Sequence, residues 1–187
     1  MLTWRWAATA ETSALAVPVP GRVAPRSGAA QACWRMVAAG WPTFSGISKV
    51  VLIGGFPSPD GQPYFSGFPV QDGAVPFPGW AEFEGPDSAD LDDAAKQALA
   101  SAAIPVPEGV TRGVIRLADE RRYDVPVVVV CPEFTPAQAS EWIGQGEVPE
   151  LAKSSNVSFH DIDSGHWPMI SAAAALARLL AQAAAES

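Results

Sequence analysis

The chain has 187 residues, 48% of them hydrophobic and 17% charged, and its 12 Lys and Arg against 20 Asp and Glu give a formal charge of −8. That length and balance describe one globular domain rather than a disordered segment, and no apolar run approaches the roughly 18 residues that a membrane span needs. The nine Arg are scattered and build no basic face, which argues against nucleic acid or an anionic membrane as partner.

In chain order, the first 20 residues carry Arg5 and several alanines. Glu11 and the lack of a continuous apolar core argue against a cleaved leader, so the segment reads as retained and the protein as cytoplasmic. Residues 13–19 could run extended, although Pro18 makes them a poor central strand. Cys33 and Cys131 stand far apart without metal-ligand spacing and read as buried free thiols in a reducing compartment, not as a disulfide framework. The 18 prolines and 16 glycines crowd most densely into residues 17–26 and 57–85, which are therefore loop-rich.

Three short β-branched runs read as strands: 49–54 (KVVLIG), 126–131 (PVVVVC) and 156–162 (NVSFHDI). The first two are apolar throughout instead of alternating, as expected of parallel strands buried on both faces. Helices are expected over 28–39, 90–102, 136–142 and 171–185. In the last, Ile170, Ala174, Leu176, Leu179 and Leu180 form an apolar stripe and Ser171 is the expected cap. Helix alternating with strand predicts an α/β fold, a parallel sheet with helices on both faces.

In such a sheet, ligands bind beyond the carboxyl ends of the strands. The segments found there are 54–64, 131–136 and 161–169. An acid, Glu133, follows one strand, and a histidine, His166, follows the next.

The order of acid, histidine and terminal helix, with the segment Ser164-Gly-His-Trp-Pro-Met169, resembles the C-terminal half of the α/β-hydrolases, in particular their small esterase and hydroxynitrile-lyase-like branch. Residues 51–61 (VLIGGFPSPDG) and 124–131 (DVPVVVVC) look like two successive strands of that branch, and the likeness runs from about Ser27 to the C-terminus. It implies a carboxylesterase-like serine hydrolase acting on a small ester, with no metal or organic cofactor. His166 would be the general base and Glu133 the acid that orients it, with Asp60 the alternative acid. Asp161 and Asp163 read as turn residues, and His160, inside a strand, has no expected role. Counting back one helix from residue 49 reaches Pro25-Arg-Ser-Gly-Ala29, which places Ser27 as nucleophile and the Gly28 N–H as an oxyanion donor. Pro25 and Arg26 depart from the G-x-S-x-G pattern of the nucleophile turn.

The resemblance further implies a division into an atypical segment, 1–26, and a single hydrolase-like domain, 27–187, with a loop-rich cap inserted at about 62–103. Tyr64, Phe65, Phe68, Phe77, Trp80 and Phe83 of that cap would roof an apolar pocket, and Phe56, Trp80 and Trp167 are the expected substrate-pocket residues. The six acids within 82–93 read as a solvated face leading into a helix. Only 26 residues precede Ser27, so the expected fold is partial, lacking several N-terminal strands, as in a truncated or frame-disrupted product. An alternative is therefore a catalytically inert remnant that binds a ligand or self-associates, with an exposed sheet edge as a dimer contact. A lyase would use the same residues for proton transfer.

Overall fold

The computed structural model describes residues 15–18 and 47–185. Ser27, Gly28, Cys33 and the helix expected over 28–39 lie outside them. In chain order the described residues form strand β1 (Leu15–Pro18), strand β2 (Ile47–Ile53), the two-residue strand β3 (Ala74–Val75), helix α1 (Asp93–Ala102), strand β4 (Val106–Pro107), the turn α2 (Glu108–Thr111), strand β5 (Val127–Cys131), helices α3 (Pro136–Gly144) and α4 (Pro149–Ala152), strand β6 (Val157–Asp161), the turn α5 (Pro168–Ser171) and helix α6 (Ala173–Ala185). Short 3₁₀ turns occupy Trp80–Phe83, Gly85–Asp87 and Glu120–Asp124.

The main sheet has the order β1-β2-β5-β6, with β2, β5 and β6 parallel. The valine-rich runs behave as their composition requires. Val50 and Leu52 turn to one face of β2, Val51 and Ile53 to the other, and none is more than 4% exposed. On the first face they pack with Val127, Val129 and Cys131 against Phe134, Ala139, Val148 and Leu151 of the α3–α4 side. On the second, Val128 and Val130 join them against Leu176 and Ala183 of α6. Each such side chain contributes about 1.5–3 kcal/mol by leaving water, which makes these two strands the anchor of the domain. Lys49 ties the second layer down: its buried Nζ donates to the Ala183 carbonyl near the end of α6 (2.7 Å).

Four sequence expectations need correction. The sheet is not wholly parallel, because β1 pairs antiparallel with β2, with Pro18 in register with Ile47 and an irregularity between Ala16 and Pro18. Proline is tolerated there since β1 has only one partner among the described strands. The helix expected over 171–185 is split at Ala172: Pro168 starts the turn α5, and α6 begins at Ala173. Ser171 caps nothing, since its hydroxyl donates back to the Trp167 carbonyl (3.3 Å). Ile170 is 41% exposed and Ala174 is also exposed, so the buried stripe starts at Leu176 and runs through Leu179, Leu180 and Ala183. Helices α1 and α3 fall close to their expected positions. Asp92 accepts from Ala95 N at the start of α1, and Thr135 with Gln138 forms a reciprocal capping box ahead of Pro136 in α3.

Between β2 and β5 the chain makes a long excursion. Residues 61–65 hydrogen-bond to residues 111–115, through Gly61 N to Ile115 O, Tyr64 N to Gly113 O and Phe65 N to Thr111 O, and so close its base. The excursion thus reaches about ten residues beyond the expected boundary at 103. Its interior is an aromatic cluster of Phe83, Leu91 and Trp167 with Phe68, Phe77, Trp80 and Leu99 packed on it. No described helix is long and apolar enough to cross a membrane.

Candidate functional site

The carboxyl ends of β2, β5 and β6 converge because the three strands are parallel and in register. The loop after β5 carries Glu133 and the loop after β6 carries His166. Glu133 Oε1 lies 2.9 Å from His166 Nδ1, and the two side chains are 2% and 5% exposed. A carboxylate can only accept, so the Nδ1–H donates to it. Asp60, the other acid considered, is turned elsewhere: its Oδ1 accepts from Leu117 N at 2.7 Å and closes a loop.

Gly54 makes room for the imidazole at the end of β2. It has φ +60°, its N–H donates to the Val130 carbonyl, and a Cβ there would stand 3.2 Å from Pro132 Cγ and 3.4 Å from His166 Nδ1. Both the backbone conformation and the space favour glycine. Trp167 meets the edge of the imidazole at 5.0 Å between ring centroids and is itself held edge-on by Trp80 and Phe83, at 5.1 and 5.2 Å.

The far side of the histidine loop rests on the cap. His166 N donates to the Asp87 carbonyl (2.7 Å), and Gly165 N donates to Asp90 Oδ2 (2.6 Å). Asp87 is buried, and its carboxyl is pushed up from 3.8 to about 6, chiefly by burial, with the charge of Glu133 adding to the effect and that of His166 opposing it. The expectation that the acids of 82–93 form a solvated face therefore fails at Asp87. Sequence reasoning missed Gly54, Asp87, Asp90 and Gly165 as supports of the site. A glycine directly before the histidine was the one local signal that a close backbone approach was required.

Glu133 Oε2 has no hydrogen-bond partner among the described residues, although it is buried. An unsatisfied buried carboxylate oxygen costs at least about 1–3 kcal/mol. Cys131, fully buried beside this site, has its thiol pushed up to about 12 by burial, with Asp161 and Glu133 adding to the effect, so it has little nucleophilic character. His160 is half-buried on β6, and Asp161 and Asp163 are exposed. Among the described residues no group of three or more His, Cys, Asp or Glu converges as metal ligands would.

The expected pocket residues do not share one cavity. Trp80 and Trp167 line an apolar cavity of about 460 Å³ formed almost wholly by the excursion itself, with Phe68, Phe77 and Leu99. Phe56 packs instead on Phe134 and Trp142 and lines a second cavity of about 240 Å³ that begins at Gly54. Tyr64 and Phe65 border both and form the wall between them.

The expected nucleophile, Ser27, and its neighbour Gly28, the expected oxyanion donor, lie outside the described residues. The carboxyl end of β1, Pro18, is in register with Ile47 at the amino end of β2, opposite the edge that carries Glu133 and His166. No family model matches the chain, and neither does any curated protein or solved structure.

Proposed function

We propose that the protein is a serine hydrolase of the α/β-hydrolase type, acting on an ester or related acyl substrate. The observation that carries this reading is the buried Glu133–His166 pair at the carboxyl edge of adjacent parallel strands, 2.9 Å apart. A purely structural carboxylate would be expected to satisfy both of its oxygens, yet Oε2 has no partner among the described residues. Holding a histidine in one tautomer with a sealed carboxylate is what general-base catalysis requires.

In the proposed reaction Ser27 Oγ attacks the substrate carbonyl carbon while His166 Nε2 takes the hydroxyl proton. Glu133 stabilises the resulting imidazolium, and Gly28 N–H donates to the oxyanion. The imidazolium then returns the proton to the departing alkoxide, which leaves as an alcohol. A water, deprotonated by the same nitrogen, splits the acyl-serine to a carboxylic acid and restores Ser27. The inert-remnant alternative draws its support from the antiparallel pairing of β1 with β2, which departs from the parallel sheet expected of the hydrolase type.

A fluorophosphonate probe separates the two. It should label the full chain at Ser27, and Ser27→Ala should abolish labelling. His166→Ala should lower hydrolysis of a p-nitrophenyl ester by about 10³-fold or more with the circular dichroism spectrum retained. Labelling that survives Ser27→Ala would remove that residue from the mechanism. Turnover unchanged by His166→Ala would sink the hydrolase reading.

A further inference from the structure

The direction in which an imidazole points is set by the main chain it leaves, and here that main chain is gripped from the cap. Two successive amides of the histidine loop, Gly165 and His166, donate to Asp90 Oδ2 and the Asp87 carbonyl at 2.6 and 2.7 Å. The approach is closer than any side chain would permit. A Cβ at residue 165 would stand 2.3 Å from the Asp87 carbonyl oxygen and 2.4 Å from Asp90 Oδ1. The gripping segment is itself anchored. Ser88 Oγ donates to the Phe83 carbonyl (2.6 Å), and Phe83 and Leu91 are buried in the same cluster as Trp167.

Asp90 stands out within this arrangement. It is exposed and forms no ion pair among the described residues. Its charge-assisted bond instead goes to the amide immediately before His166. We propose that Asp90 is a positioning residue for His166: through Gly165 N–H it clasps the histidine loop to the cap and fixes the main chain from which the imidazole springs. The clasp makes alignment of the base depend on the cap being seated. This inference rests on the reading of His166 as general base.

The test compares Asp90→Ala with Asp90→Asn in the full chain. An amide oxygen still accepts from Gly165 N–H, whereas a methyl group does not. For p-nitrophenyl ester hydrolysis, Asp90→Ala should lower kcat by about 10–100-fold, the size expected of a small misplacement of a reacting group, with KM nearly unchanged, and Asp90→Asn should recover most of the loss. A second readout needs no turnover: the nitrogen-bound proton of His166 Nδ1, observed by ¹H–¹⁵N NMR and assigned by its absence in His166→Ala. It should shift or broaden in Asp90→Ala and return in Asp90→Asn. Wild-type kcat and a wild-type Nδ1–H signal in Asp90→Ala would overturn the clasp, as would an Asp90→Asn as impaired as the alanine variant. If the wild-type protein hydrolyses no ester, the hydrolase reading fails and the NMR comparison alone decides the clasp.

Discussion

The two sides of the His166 site are built differently. On the sheet side, residues 50–53 of β2 and 127–131 of β5 are all at most 4% exposed and joined in an unbroken parallel ladder. On the cap side, β3 and β4 are two residues long, and α1 has no buried residue. There the structure depends on a few aromatics and on bonds such as Trp80 Nε1 to the Lys96 carbonyl, 3.0 Å. Opening free energies follow buried contacts, so the sheet should hold to the global limit and the cap should open earlier. The imidazole meets Glu133 on the rigid side and takes its backbone support from the softer one, through Asp87 and Asp90. On the proposed hydrolase reading, a substitution on the sheet side should thus act on the reaction or on the whole fold, and one on the cap side on alignment.

The largest effect should come from the sheet side. Glu133→Gln should reduce kcat by about 10³–10⁴-fold, because the imidazole loses the carboxylate that fixes its tautomer and stabilises its charge. Stability should change little, since the glutamine oxygen can still accept from the imidazole while its NH2 takes the place of the unpartnered Oε2. Kinetics and urea unfolding of one preparation check both, and a variant that lost stability while keeping kcat would make Glu133 a structural residue.

Next in size is the contrast between two leucines. Leu52, 1% exposed in β2, should lose about 2–5 kcal/mol as Leu52→Ala, whereas Leu99→Ala on the half-buried face of α1 should lose about 1 kcal/mol or less. Equal losses in urea unfolding would erase the distinction between the two regions.

The smallest effect concerns pH. The folded-state value of Asp87, about 6, lies above its ordinary 3.8, so protonation favours the fold. That stabilisation is complete below about pH 4 and is lost as the pH rises through about 6. Asp87→Asn carries no such charge. Its stability relative to the wild type should climb between about pH 4 and 6 and then level off, as thermal melts across that range would show. A flat difference would mean that Asp87 is solvated and belongs to the exposed face expected from the sequence.

Some of this was legible along the chain because it depends on local pattern. Unbroken valine runs announce strands covered on both faces, and residues directly after parallel strands fall at one edge. Glu133 and His166 could be named on that basis. The acids of 82–93 could not be sorted in the same way. Glu82, Glu84, Asp87, Asp90, Asp92 and Asp93 look alike in sequence, yet one is buried beside Glu133 and His166, one grips Gly165 and one caps α1. Ser171 misled for a related reason: it is a good cap by type, but Pro168 had already begun a turn three residues earlier.

The sequence by itself determined which segments leave water, and with that the α/β character and the strand ends where an acid and a histidine stand. Tertiary structure alone decided that Glu133 and not Asp60 meets the imidazole, that β1 runs antiparallel, that Phe56 is walled off from Trp80 and Trp167, and that the cap reaches across to hold Gly165. The division has a physical cause. Hydrophobic pattern is a property of neighbours in the chain, whereas a hydrogen bond between residues 90 and 165 depends on a path through space that no local propensity encodes.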